Sequence, residues 1–127
     1  MKPLPLSRLA DEIDFRPTPW TGVRMAVLVE TRPVGRWSLV DMAAGASLPP
    51  HQHEGEEWIL LLTGRLMLGA EMLLPQQSRR IAAGCLHAPA APERALYLVC
   101  QQQPGGQAVD CGPRASPPSC GFQPIFP

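Results

Sequence analysis

This chain carries no excess of either charge, few aromatic residues and no long apolar run, and each shortage removes a class of function. Lysine plus arginine and aspartate plus glutamate stand at 11 each, so no basic field exists to gather nucleic acid or an anionic membrane. Unbroken apolar stretches such as Trp58 to Leu62 are too short to span a bilayer. The N-terminal MKPLPLSRLADEIDF lacks a run of signal-peptide length and places Asp11, Glu12 and Asp14 early. We therefore expect a cytoplasmic protein with no nucleic-acid and no membrane partner. Cysteine is sparse as well. Cys85, Cys100, Cys111 and Cys120 show no Cys-x2-Cys spacing and no export signal accompanies them, so free thiols are expected, with a Cys111 to Cys120 bridge as the alternative. At 127 residues the chain is one domain, large enough to bury a core without cross-links.

Histidine is scarcest in distribution. All three histidines fall between positions 51 and 87, in the spacing His51-x-His53-x3-Glu57 followed by His87. Neutral imidazoles and one carboxylate are a donor set that divalent first-row metals accept. His51, His53 and Glu57 share odd numbering, as side chains on one face of extended chain do, and Gly55 between them permits a bend. Two solvated histidines in a proline-rich loop are the plain alternative for His51 and His53 alone. By the same parity Cys85 faces the space of His87 if its segment is extended. As a small buried hydrophobe it would need no such role.

From Gly22 onward, short aliphatic and β-branched runs alternate with Gly or Pro: 23–30, 36–42, 57–62, 65–68, 72–74 and 95–101. That rhythm is all-β, and strands this short need two packed sheets or a closed barrel to bury their faces. Trp58 to Leu62 is apolar on both faces, which predicts a strand covered on both sides; a homodimer interface is the natural second cover. Before the barrel (22–103) lies an arm (1–21), with helix expected over Leu6 to Ile13 and Ser7 as its N-cap. After it, residues 104–127 form a Pro/Gly-rich tail that cannot continue a sheet.

The spacing Gly45-x5-His51-x-His53-x3-Glu57-x6-Gly64 resembles, position for position, the first motif of the cupin superfamily. The second cupin motif is kept in Ala82-x-Gly84-x2-His87 at its glycine and histidine. Ala82 replaces its proline, Gln76 its upstream glycine and Ala91 its downstream asparagine. The resemblance covers Gly35 to Gln101. It implies a jelly-roll barrel in which His51, His53, Glu57 and His87 converge on one divalent metal ion per chain, and it makes Gly64 and Gly84 turn positions where a Cβ would clash. Through Pro19-Trp20-Thr21-Gly22-Val23 and Gly35-Arg36-Trp37-Ser38-Leu39-Val40, the chain is further similar to the cupin half of ChrR-type anti-sigma factors and to acetylacetone dioxygenase-like proteins. The helical zinc domain of such anti-sigma factors has no counterpart here, so the chain is read as the metal module standing alone.

With every histidine taken as a ligand, no imidazole remains as general acid or base, and chemistry must lean on the metal, a carboxylate, tyrosine or thiol. Iron(II) in such a site suits a dioxygenase acting on a small organic molecule; zinc, nickel or manganese are the other expected occupants. Candidates around the metal are Glu56, Gln52, Tyr97, Cys85 and Arg65. Even numbering turns Glu56 and Gln52 away, leaving Tyr97 and Cys85 as the more interesting pair. A non-catalytic metal- or ligand-binding sensor is the alternative function.

Overall fold

The computed structural model describes residues 13–31 and 35–102. The expected helical arm over Leu6 to Ile13, except Ile13 itself, the tail from Pro104 and the Cys111 to Cys120 pair lie outside them. Among the described residues seven strands form one antiparallel sheet: β1 (Arg16–Pro17), β2 (Val23–Thr31), β3 (Gly35–Met42), β4 (Glu57–Leu68), β5 (Glu71–Leu73), β6 (Ser78–Ile81) and β7 (Ala90–Gln102). Their order is β1-β2-β3-β7-β4-β5, with β6 paired to β4. The sheet curls into the expected jelly roll, and no helix occurs among the described residues. Accordingly none there is long and apolar enough to cross a membrane.

Period-two patterning decides which side chains face inward. On β3 these are Val40 and Met42, and on β7 Ala95, Tyr97 and Val99; all five join one buried cluster with Val23, Ile59, Leu61, Leu66 and Leu68. On β4 the inward set changes from odd (Glu57, Ile59, Leu61) to even (Leu66, Leu68). The change needs one extra residue, and the register against β7 shifts between Leu61 and Thr63 and again beyond it. Gly64 sits in this irregular stretch at φ +85°, and a Cβ there would lie 1.8 Å from the Arg94 carbonyl oxygen. The clash expected at Gly64 is therefore real, but it falls inside a continuous strand and not at a turn. Gly84 also has positive φ, +77°, yet a Cβ would meet nothing within 4 Å, so the clash expected there is absent.

Sequence rhythm divided β4 into two runs at Gly64 and missed β6 and the first residues of β7. Ser78–Ile81 reads as polar, but only Ser78 and Ile81 are buried; Arg79 reaches Glu71 and Arg80 reaches Glu56, so the strand's charge is paired along its outer face. The segment 90–94 has weak β propensity and is held by pairing to β4. Trp58 and Leu60, expected to be covered on the outer face, are half-buried.

An ion cluster ties β2, β3 and β7 on the outside. Asp41 accepts hydrogen bonds from Arg24 and, at 3.1 Å, from both Nε and Nη2 of Arg94. Burial pushes the Asp41 carboxyl up, but the hydrogen bonds and charges of Arg94 and Arg24 outweigh it and hold it below the usual carboxylate range.

Gly64→Ala is expected to lower stability by about 3 kcal/mol, since both a Cβ clash with backbone and a left-handed conformation are imposed; the midpoint of urea denaturation checks it. Asp41→Asn tests the ion cluster. Because the folded pKa lies below the unfolded one, the Asp41 contribution is complete above the ordinary carboxylate value of 3.8 and disappears as pH falls through the folded pKa. Melting profiles should show wild type exceeding Asp41→Asn near neutrality by about 1–2 kcal/mol and the gap closing in acid; a gap independent of pH would contradict the assignment.

Candidate metal centre

Two backbone segments build the site by pairing with each other. His51 N–H donates to the His87 carbonyl at 2.9 Å, His87 N–H donates back to His51 at 2.8 Å, and Gly84 N–H donates to the His53 carbonyl at 2.8 Å. Exchange of both bonds makes His51 and His87 direct neighbours across an antiparallel bridge. The imidazole centroids of His51 and His87 lie 4.3 Å apart, and His53 lies 4.9 Å from the first and 5.7 Å from the second. One ring nitrogen from each of the three lies within 4.8 Å of the others, so the three histidines are positioned to bind a metal ion. Glu57, the first residue of β4, lies against two of the three. Its Oε2 is 2.7 Å from His53 Nε2 and its Oε1 3.7 Å from His87 Nε2. Of these four residues only Glu57 lies in a strand; the chain bends at Glu54 and Gly55, which lets residues of equal parity meet without continuous extension.

The ring atoms fit a cation. His51 Nδ1 donates to the Pro49 carbonyl at 2.8 Å, which fixes the tautomer and leaves Nε2 with a lone pair. Neither ring nitrogen of His87 has a hydrogen-bond partner although the residue is only 5% exposed. Burial pushes its pKa down to about 4, against the opposing charge of Glu57 and with help from His51 and His53, so the ring is neutral and able to ligate. The hydrogen bond to Glu57 raises the pKa of His53, burial and Arg36 opposing. Burial raises the Glu57 pKa, but the His53 hydrogen bond, the histidine charges and Gln101 together bring it below its ordinary value. A cation entering here would compete with a proton for His53.

These groups open into a cavity of about 390 Å³ walled by Trp20, Met25, Val40, Leu48 and Val99, with Tyr97, Ser38 and Arg36 also on its surface. Tyr97, one of the expected candidates, lines this cavity. Its phenol is pushed up by burial and by Glu57, so it remains an O–H donor. The other candidates divide. Gln52, expected to face away, lines the cavity, because parity fails in the irregular loop 52–55. Glu56 does face away, paired with Arg80, and Arg65 is exposed beside Glu93 at 3.9 Å. Cys85 is 2% exposed within the core cluster and does not line the cavity. It is disulfide-bonded, which corrects the expectation of a free thiol. Cys100 is free and buried, as expected.

Gln101 was missed. Its amide nitrogen donates to Glu57 Oε2 at 3.2 Å and lies 3.4 Å from His53 Nε2, while its oxygen accepts from Arg36 Nη2 at 2.9 Å. The signal was available: Gln101 shares the odd, inward face of β7 with Tyr97 and Val99.

The second motif's departures are absorbed by backbone. Cys85 N–H donates to the Ala82 carbonyl at 3.1 Å, closing the turn without proline, and Ala91 exchanges backbone bonds with the 45–46 segment. Gln76, standing where the motif has glycine, adopts φ 72°.

Comparison with known proteins agrees with this geometry. Residues 8–104 match the family model described as the ChrR cupin-like domain. No curated protein matches the chain. Among solved structures it is similar to a chain of the Rhodobacter sphaeroides SigE complex with the anti-sigma ChrR, at 23% identity and TM-score 0.65 over 72% of this chain and 50% of that one. It thus spans half the length of that relative. It is similar to an acetylacetone dioxygenase from Acinetobacter johnsonii, at 16% identity and TM-score 0.65 over 69% of this chain and 67% of that one. A cupin superfamily protein from Desulfitobacterium hafniense shares 23% identity and TM-score 0.62 over 80% and 91%. These likenesses support the fold, and with the family match and the pairing of the two motif segments they lead to one conclusion: the chain belongs to the ChrR cupin-like family.

Proposed function

We infer that this protein is a metal-dependent cupin enzyme of the dioxygenase type, acting on a small organic molecule, with His51, His53, His87 and Glu57 holding one divalent cation per chain. The observation that carries the reading is His87, whose two buried ring nitrogens lack partners beside two further histidines at a cavity with mostly apolar walls. Buried polar atoms left without partners are costly, and a cation removes that cost. Bound iron(II) would supply adjacent open positions for dioxygen and a chelating substrate; zinc, manganese or nickel would supply a Lewis acid. The chain's own residues do the remaining work. Pro49 holds the His51 tautomer, Gln101 holds Glu57, Tyr97 presents a proton to substrate, and the apolar walls exclude water.

Protein purified without a histidine tag or added metal is expected to contain about one iron, manganese, nickel or zinc per chain by elemental analysis, and His51→Ala, Glu57→Ala or His87→Ala to lose it. Metal at a thousandfold excess over Kd should stabilise wild type by about 4 kcal/mol in thermal melts and leave His87→Ala unmoved. Metal retained without His87 would refute the ligand set. For the iron form, a screen of diketones and thiols should reveal ligand-dependent oxygen consumption.

The match to the ChrR cupin-like domain, together with a solved relative that belongs to a complex with SigE, favours a second reading, a non-catalytic sensor. Release of metal by peroxide with no turnover of any compound in the screen would select it over the enzyme.

A further inference from the structure

We propose that the cavity selects a small organic carboxylate, with Arg36 binding its anionic end; this rests on the reading of the site as a divalent metal centre. Arg36 lies on the inward, even-numbered face of β3 with Ser38 and Val40, directly opposite Gln101 on β7. Among the described residues that line the cavity it is the one lysine or arginine. Its Nη2 is held by the Gln101 side-chain oxygen at 2.9 Å. The amide orientation is forced: guanidinium only donates, so the oxygen must face Arg36 and the nitrogen must face Glu57. Arg36 is thereby fixed two hydrogen bonds from the metal ligand Glu57, with its remaining N–H groups paired to no carboxylate among the described residues.

Charge decides what that arrangement accepts. Glu57 is the one carboxylate among the described residues lining the cavity, and a divalent cation beside it would more than neutralise it. Arg36 adds a further positive charge, so the cavity as a whole is cationic although its walls are mostly apolar. A neutral guest would desolvate Arg36 without replacing its water, whereas a carboxylate matches the planar guanidinium fork. A cavity of about 390 Å³ admits a small molecule whose carboxylate meets Arg36 and whose apolar part lies against Trp20, Met25 and Leu48.

The test uses full-length wild type, Arg36→Gln and, as a surface control, Arg65→Gln. Calorimetric titration and tryptophan fluorescence would follow levulinate, isovalerate and phenylacetate, each beside its methyl ester, with metal content measured on the same samples. At least one acid should bind wild type and the control, its ester binding about tenfold weaker or less. Arg36→Gln should lose about tenfold or more for the acid, as expected for one charge-assisted hydrogen bond, keep the ester affinity and keep its metal. The proposal is overturned if no acid binds wild type, if ester equals acid, or if Arg36→Gln binds the acid unchanged. It is equally overturned if Arg36→Gln loses metal, because Arg36 would then serve only to brace Gln101 and Glu57. Absence of metal from wild type would refute the metal-centre reading by itself, and the acid-to-ester ratio would still decide the anion preference.

Discussion

Everything at the site depends on two backbone hydrogen bonds, from His51 N–H to the His87 carbonyl and from His87 N–H to the His51 carbonyl. They join segments far apart in sequence, and because both bonds are exchanged, the two side chains leave the ladder as direct neighbours. Side chains alone could not achieve this. Three imidazoles and a carboxylate in a flexible loop would each solvate separately, and ordering them would cost backbone entropy with little return. Here the cost of order is met by the sheet, since β4 carries Glu57 at its start and β7 carries Tyr97 and Gln101 on its inward face.

Much of this was legible in residue order, and the limits are physical. The grouping of the three histidines was readable because ligand chemistry restricts residue type and the spacing fixes relative position. The inward faces of β3 and of β7 from Ala95 onward were readable because both strands follow a period of two without interruption. Gly64 misled because glycine commonly marks a turn. Here it relieves a close approach to the Arg94 carbonyl within one strand, a fact about a neighbour distant in sequence. β6 escaped because its charges are paired only after folding, with Glu71 from β5 and Glu56 from the approach to β4. Gln52 was misplaced for the opposite reason: parity was applied where the chain is not extended.

The departures in the second motif show which parts of a motif carry geometry and which carry side-chain chemistry. Proline favours a turn but is not needed to close one, and the Cys85 to Ala82 bond forms without it. At the position of the asparagine, Ala91 contributes only N–H and C=O, and these pair with the 45–46 segment. Gln76 is the costlier change, because a residue with a Cβ must hold φ 72° where glycine would do so freely. Its amide donates to the Leu61 carbonyl at 2.7 Å, so the pairing that sets β4 offsets part of that strain. The His87 imidazole has no backbone substitute, and the segment keeps it together with Gly84.

The polar group inside the barrel also bears on stability. Glu57 at 4% exposure and His87 at 5% stand at the edge of an otherwise apolar core, a placement that costs free energy unless their charges and lone pairs are matched. Gln101 and His53 match Glu57 in part, and nothing in hydrogen-bonding range among the described residues matches the His87 ring. A core built for stability alone would place leucine at these positions. Retaining a buried imidazole with two idle nitrogens is understandable only if something else satisfies it. The same arrangement that costs stability would therefore make binding of a cation a contribution to folding, linking the site's chemistry to the fold that holds it.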